Sequence, residues 1–167
     1  ATLLLVPDGS SEAGIAAAYV HQQFPYERGP WAADADFSQV KVSCRLLCAA
    51  LKLTDNVGHN SQVDGELLAK FLACQAKDFV LQNSLIKFHR VRLCSDSLTV
   101  EKAIRKTDAC YSTWAGRRIA SIQRSIDLDD SWHVPHSVTD ATVDSCTKYK
   151  RHPSKAMDEC WFYGKGV

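Results

Sequence analysis

Apolar positions change their spacing along the chain, and the spacing predicts the elements. "TLLLV" (2–6) is a short continuous apolar run closed by Pro7 and the turn-forming "DGSS". "AGIAAAYV" (13–20) is a second run, with small residues that suit close packing between neighbours. The stretch 21–37 holds both Pro and Gly and reads as a loop. "SQVKVSCRLLCAALKL" (38–53) begins with strand alternation at Val40 and Val42, then turns generally apolar. Three strands on short connections predict an antiparallel meander.

After the turn-rich "TDNVGHNSQVDG", the period changes. Leu67, Leu68, Phe71, Leu72 and Phe79 have the spacing of an amphipathic helix, and Asn60 or Ser61 can start it. "RVRLCSDS" (90–97) reads as a strand and "LTVEKAIRK" (98–106) as a short helix directly behind it. "YSTWAGRRIASIQRSI" (111–126) is a further amphipathic helix, with Trp114, Ile119, Ile122 and Ile126 on or near one face. "SWHVP" (131–135) is a fifth strand, followed by a helix that Asp140 or Asp144 can begin. The order β-β-β-α-β-α-α-β-α predicts an α/β fold: a mixed five-stranded sheet with helices on its faces.

The length, 167 residues, fits one domain with its own core. A net charge of +1 carries no polyanion or membrane signature, so any nucleic-acid affinity must come from local charge. The seven cysteines are odd in number and form no CxxC pair. They read as buried or neutral thiols in a reducing, intracellular compartment. No apolar run is long enough to span a membrane, and "ATLLLVP" is too short for a signal peptide. The chain starts at a strand without an initiator methionine, as a segment of a longer polypeptide would.

Four acids occupy distinctive places in this map. Asp8 stands just past the first apolar run, Glu66 on the first turn of the first long helix, Asp96 at the end of the fourth strand and Asp144 near the last helix. Each has an ordinary structural use: turn former, helix-dipole acid, helix cap or surface residue. Taken together, acids converging at strand ends repel one another unless a cation joins them. Hard oxygen ligands of this kind suit a two-metal phosphoryl-transfer site.

The strings "DGSS", "GIAAAYV", "GELLAKFLA", "LCSDSLTVEKAI" and "WHVP…VDSCTK" follow one another as they do in the ribonuclease H fold. With "WAGRRIASIQ" and the tail "PSKAMDECWFYGKG", the chain resembles the ribonuclease H domains of LTR-retrotransposon polyproteins of the Bel/Pao group. The likeness runs from about residue 3 to the end and is vaguest between 21 and 60. It implies a ribonuclease H-like domain over 1–150 and a tail or linker over 151–167.

The resemblance assigns metal-binding, catalytic roles to Asp8, Glu66 and Asp96, and selects Asp144 as the fourth acid through "VDSCTK". Asp140 matches the polar position four before it and is expected to cap the helix. His136 follows the strand where related retroviral domains place a histidine that assists product release. Two Mg²⁺, with Mn²⁺ as substitute, are the implied cofactors. The implied reaction is endonucleolytic hydrolysis of the RNA strand of an RNA·DNA hybrid during reverse transcription. The implied partner is an adjacent reverse transcriptase domain, in a cytoplasmic particle or reverse-transcription complex. Ser10 and Ser11 stand beside the first acid as candidate phosphate or 2′-hydroxyl contacts. Arg117, Arg118 and Lys148 are candidate contacts to the backbone of the hybrid.

Three local features depart from the family pattern. Pro7 precedes the first acid in a strand that should be central, so a bulge that re-aims Asp8 is expected. "VDG" replaces the usual Arg or Asn before the helix glutamate, which adds Asp64 as a further acid near the metals. The stretch from Pro135 to Asp144 lacks the family's glycine and proline. Two other readings follow: an inactive or host-adopted module of the same fold, and a strand-transfer enzyme of the integrase group. The integrase acid set ends in a glutamate on a late helix, which Asp144 does not match.

Overall fold

The amino-terminal apolar run forms β1 (Thr2–Gly9), and the other strands of the sheet are ordered around it. The computed structural model describes residues 1–24, 41–54, 61–107, 109–140 and 143. β2 (Ala13–Phe24) returns antiparallel to β1, and β3 (Lys41–Leu53) pairs antiparallel with β2. β4 (Arg90–Ser95) lies parallel to β1 on its other side, and β5 (Ser131–His133) lies parallel to β4. The sheet order is β3-β2-β1-β4-β5, a mixed five-stranded sheet as the element order predicts. The helices are α1 (Gln62–Asn83), α2 (Leu98–Arg105), α3 (Thr113–Ser125) and the short α4 (His136–Asp140).

Period-two alternation divides the core into two layers. Leu3 and Leu5 of β1, Ala16 and Ala18 of β2 and Leu93 of β4 pack under Leu67, Leu68 and Leu72 of α1. Val100 and Ile104 of α2 and Ile119 and Ile122 of α3 complete that side. Val6, Ile15, Ala17 and Tyr19 point the other way and are covered by Val143, just beyond α4. Burying each large apolar side chain contributes roughly 1.5–3 kcal/mol.

Pro7 causes no bulge. The β1–β2 register runs unbroken from Thr2↔His21 to Gly9↔Gly14, and the one irregularity lies in β2–β3, between Ala18 and Tyr19. The reason is register. Ser10 N–H donates to the Ala13 carbonyl at 2.8 Å, so bonded pairs fall at even positions of β1 and Pro7 faces β4. The parallel pairing there has already ended at Leu5↔Leu93. The β1–β4 ladder thus ends just before the position where the Pro7 nitrogen would donate, and the β1–β2 ladder is untouched.

Other boundaries also differ from the sequence reading. β2 continues through His21–Phe24, because β3 supplies partners as far as Phe24↔Lys41. Phe79 of α1 is exposed, whereas Lys70 is fully buried, because α1 packs on the sheet and on α3 over a broad face. Ser61 caps α1 in a capping box with Asp64, whose carboxylate accepts from the Ser61 N–H and hydroxyl. Asp64 is thus a capping acid in place of an extra metal-site acid. Asp140 is the last residue of α4, not its cap, since that helix begins at His136.

The five described cysteines, Cys44, Cys48, Cys74, Cys94 and Cys110, are free. Burial pushes the Cys44, Cys48 and Cys74 thiols up and Cys94 to about 11, which keeps these four neutral. Among the described residues no helix is long and apolar enough to cross a membrane.

Candidate active site

Three glycines bring α1 onto the end of the β1–β2 hairpin. Gly9 and Gly14 face each other across the two strands. A methyl group on Gly9 would overlap the backbone of Gly65 and Glu66, and one on Gly14 would lie 2.7 Å from the Ala69 nitrogen. Backbone packs on backbone, and the first turn of α1 carries Glu66 to the carboxyl end of β1.

The strand register brings a second acid to Asp8. β1 and β4 are parallel neighbours whose pairing ends at Leu5↔Leu93. Three residues beyond that last pair stand Asp8, still on β1, and Asp96, the residue that follows β4. Adjacent strands are about 4.8 Å apart. By alternation with Val6, Asp8 points away from α1, toward the face covered by Val143; its residue is 6% exposed. Asp8, Glu66 and Asp96 therefore share one end of the sheet, beyond the carboxyl ends of two parallel strands.

Each of two carboxylates has one oxygen held by a hydroxyl. Glu66 Oε2 accepts from Ser97 Oγ, and Oε1 accepts from Gln62 Nε2 at 3.1 Å. Asp96 Oδ2 accepts from His136 Nδ1 and from Thr139 Oγ1, both at 2.6 Å. His133 Nε2 lies 3.1 Å from the Asp96 main-chain carbonyl, which it can reach as a donor. His136 is thus brought directly to one of the assigned acids. Ser97 also caps α2 by accepting from the Val100 N–H, so the cap in "SDS" is the second serine and not Asp96.

The remaining candidates are placed differently. Ser10 Oγ accepts from the N–H groups of Glu12 and Ala13, closing the β1–β2 turn, while Ser11 is exposed. Arg117 is exposed on α3. The Arg118 guanidinium lies 3.8 Å from the centre of the Trp114 ring and donates to the Trp114 carbonyl, so it packs against α3 itself. Asp144 and Lys148 lie outside the described residues.

Among the described residues no three His, Cys, Asp or Glu side chains form a ready-made metal cage. The donor chemistry nevertheless fits a hard divalent ion. Mg²⁺ keeps several waters and is held through one or two carboxylates, not a closed protein cage.

One turn further along both helices is a second α1–α2 contact that the sequence reading missed. Lys70 forms a buried ion pair with Glu101, and Ser131 Oγ donates to the same carboxylate at 2.8 Å. Glu66 and Lys70 are four apart on α1, as are Ser97 and Glu101 on α2, so the two contacts form successive rungs. Burial pulls the Lys70 ammonium down to about 7. A lysine within the apolar pattern "ELLAKFLA" was the available signal. Thr139 gave none beyond its place one turn after His136.

Two solved structures are similar to the chain, each with a TM-score below 0.5. RNase H1 from the halophilic archaeon Halobacterium salinarum NRC-1 matches with 16% identity and a TM-score of 0.44, over 84% of this chain and 90% of that one. The N-terminal RNase H domain of rv2228c from Mycobacterium tuberculosis, solved as a fusion with maltose binding protein, matches with 13% identity and a TM-score of 0.48. That match covers 95% of this chain and 100% of the other. No protein-family model and no curated protein matches the chain.

Proposed function

We propose that the chain is a divalent-metal-dependent endonuclease of the ribonuclease H type, acting on the RNA strand of RNA·DNA hybrids. The observation that carries the reading is that Asp8, Asp96 and the α1 turn bearing Glu66 all lie at one end of the sheet. Asp144 is the proposed fourth acid, from the segment after α4. When bound, two Mg²⁺ or Mn²⁺ supply charge stabilisation at the phosphate and an activated water.

The chain's own groups then have separate tasks. Asp8, Glu66, Asp96 and Asp144 hold the cations. Ser97 orients Glu66, and His136 shares a proton with Asp96 through Nδ1. Any proton exchange with the product falls to His136 Nε2. Ser11, Arg117 and Lys148 contact the hybrid backbone, with Ser10 and Arg118 shaping the surfaces around them. Grip on the hybrid is weak in isolation, because the connection "KTDACY" between α2 and α3 contains no separate basic helix.

The finer assignment is to a Bel/Pao-like retroelement polyprotein, with residues 1–150 as the nuclease domain and an adjacent reverse transcriptase domain as partner. The intracellular setting is a cytoplasmic reverse-transcription complex. Its support is the ordered set of strings from "DGSS" to "VDSCTK" together with the tail. The test is cleavage of a labelled RNA·DNA hybrid with Mg²⁺ or Mn²⁺, beside Asp96→Asn. Cleavage by the native chain alone supports the reading. No cleavage by either protein at high concentration leaves an inactive module of the same fold.

A further inference from the structure

Thr139 is fully buried, and a buried hydroxyl requires a partner. Among the described residues its oxygen lies 2.6 Å from Asp96 Oδ2, 2.9 Å from the His136 carbonyl and 3.4 Å from His136 Nδ1. The charge-assisted bond is the stronger, so the proton goes to Asp96. His136 Nδ1 reaches the same oxygen at 2.6 Å. Both donors come from α4, three residues apart, and both end on Oδ2. Among the described residues no donor reaches Oδ1.

We infer that Thr139 is a positioning residue that fixes Oδ2 of Asp96 to α4 and leaves Oδ1 as the cation-binding oxygen. The inference rests on the metal-dependent reading above and adds to it which oxygen binds and what decides that. The two donors differ in kind. The His136 side chain is 57% exposed, whereas Thr139 is fully buried. Thr139 therefore sets the carboxylate rotamer. Groups that orient metal ligands in this way typically change metal affinity by about 10–100-fold when removed.

The test compares the full chain with Thr139→Val, which keeps the shape and removes the hydroxyl, and Thr139→Ser, which keeps the hydroxyl. Mn²⁺ binding is followed by the electron paramagnetic resonance signal of free Mn²⁺, and hybrid cleavage is measured across Mn²⁺ concentrations. Thr139→Val is expected to bind Mn²⁺ about 10–100-fold more weakly, with its cleavage recovering at saturating Mn²⁺, while Thr139→Ser behaves as the native chain. Equal Mn²⁺ affinity in native chain and Thr139→Val overturns the inference and leaves the nuclease reading standing. A native chain that neither binds Mn²⁺ nor cleaves the hybrid overturns both. If Thr139→Val does not fold, the native chain decides by nuclear magnetic resonance. Its Thr139 hydroxyl proton should exchange slowly and shift on Mg²⁺ addition. A freely exchanging proton, or one indifferent to Mg²⁺, overturns the inference.

Discussion

Gly65 and Ser10 touch backbone to backbone: a methyl group on Gly65 would overlap the Ser10 carbonyl. No side chain mediates the contact, so neither partner can adjust by changing rotamer. It fixes the height of α1 above the hairpin end and therefore where Glu66 stands relative to Asp8.

Gly65→Ala should consequently destabilise the fold and displace the acid together. Overpacking against rigid backbone costs about 3 kcal/mol, read as a lower urea midpoint. Cleavage should fall further than the loss of folded protein explains. Gly116→Ala is the control, since a methyl there meets nothing nearer than the Tyr111 Cβ at 3.9 Å. If Gly65→Ala is as stable as Gly116→Ala, the close approach does not exist.

How far the sequence could be read follows from the same geometry. Strand order and helix faces were legible, because runs such as "TLLLV" and the Ile119–Ile122–Ile126 spacing report burial directly. Asp8, Glu66 and Asp96 were legible as acids at element ends. Their mutual placement was not, because β1 and β4 are separated by about half the chain. Pro7 misled for a related reason: whether a proline breaks a ladder depends on which neighbour its nitrogen faces. Lys70 was not singled out, since its partner stands 31 residues away on another helix.

Lys70→Met alone should be strongly destabilising. It leaves the Glu101 carboxylate buried, with Ser131 and the distant Arg105 as its remaining company. Breaking one side of such a pair costs about 3–5 kcal/mol. The double variant Lys70→Met/Glu101→Leu should recover most of that, because no buried charge remains. A double variant as unstable as the single one, by chemical denaturation, would show that the pair is not coupled.

The same lysine predicts a pH dependence. Burial lowers its folded pKa from 10.5 to about 7, with Cys74 and Cys94 opposing the fall and Arg105 adding to it. Between those values the unfolded chain binds the proton that the folded chain gives up, so stability rises with pH. The buried thiols act oppositely above pH 9.0, where the unfolded chain loses protons that the folded chain keeps. The rise should therefore be clearest between pH 7 and pH 9.0 in the native protein. It should be absent in Lys70→Met/Glu101→Leu, and an identical slope in both proteins would assign it elsewhere.

Ser97 has two roles, capping α2 and holding Glu66, and substitution can separate them. Ser97→Ala loses the cap, worth about 1 kcal/mol, and frees Glu66 Oε2. Ser97→Asp keeps a capping oxygen but sets a second carboxylate against Glu66. Stability near native with depressed cleavage in Ser97→Asp would show that the serine orients the acid. Native cleavage in both variants would reduce Ser97 to a cap.

The resemblance makes Asp144 the fourth acid and Asp140 a helix cap, and α4 already begins at His136, ahead of Asp140. Because α4 begins at His136, Asp140 stands at its carboxyl end, where the helix dipole disfavours an acid. A capping aspartate replaced by alanine would cost about 1 kcal/mol. At a helix carboxyl end, Asp140→Ala should instead be neutral or raise stability by a few tenths of a kcal/mol, seen as an unchanged or higher Tm. It should also leave metal-dependent cleavage intact, because the α4 hydroxyl that reaches Asp96 belongs to Thr139. Asp144→Asn should abolish cleavage at any Mn²⁺ concentration without lowering Tm, as expected for a group that holds the cation directly. The reverse pattern, with Asp140→Ala inactive and Asp144→Asn active, would make Asp140 the fourth ligand.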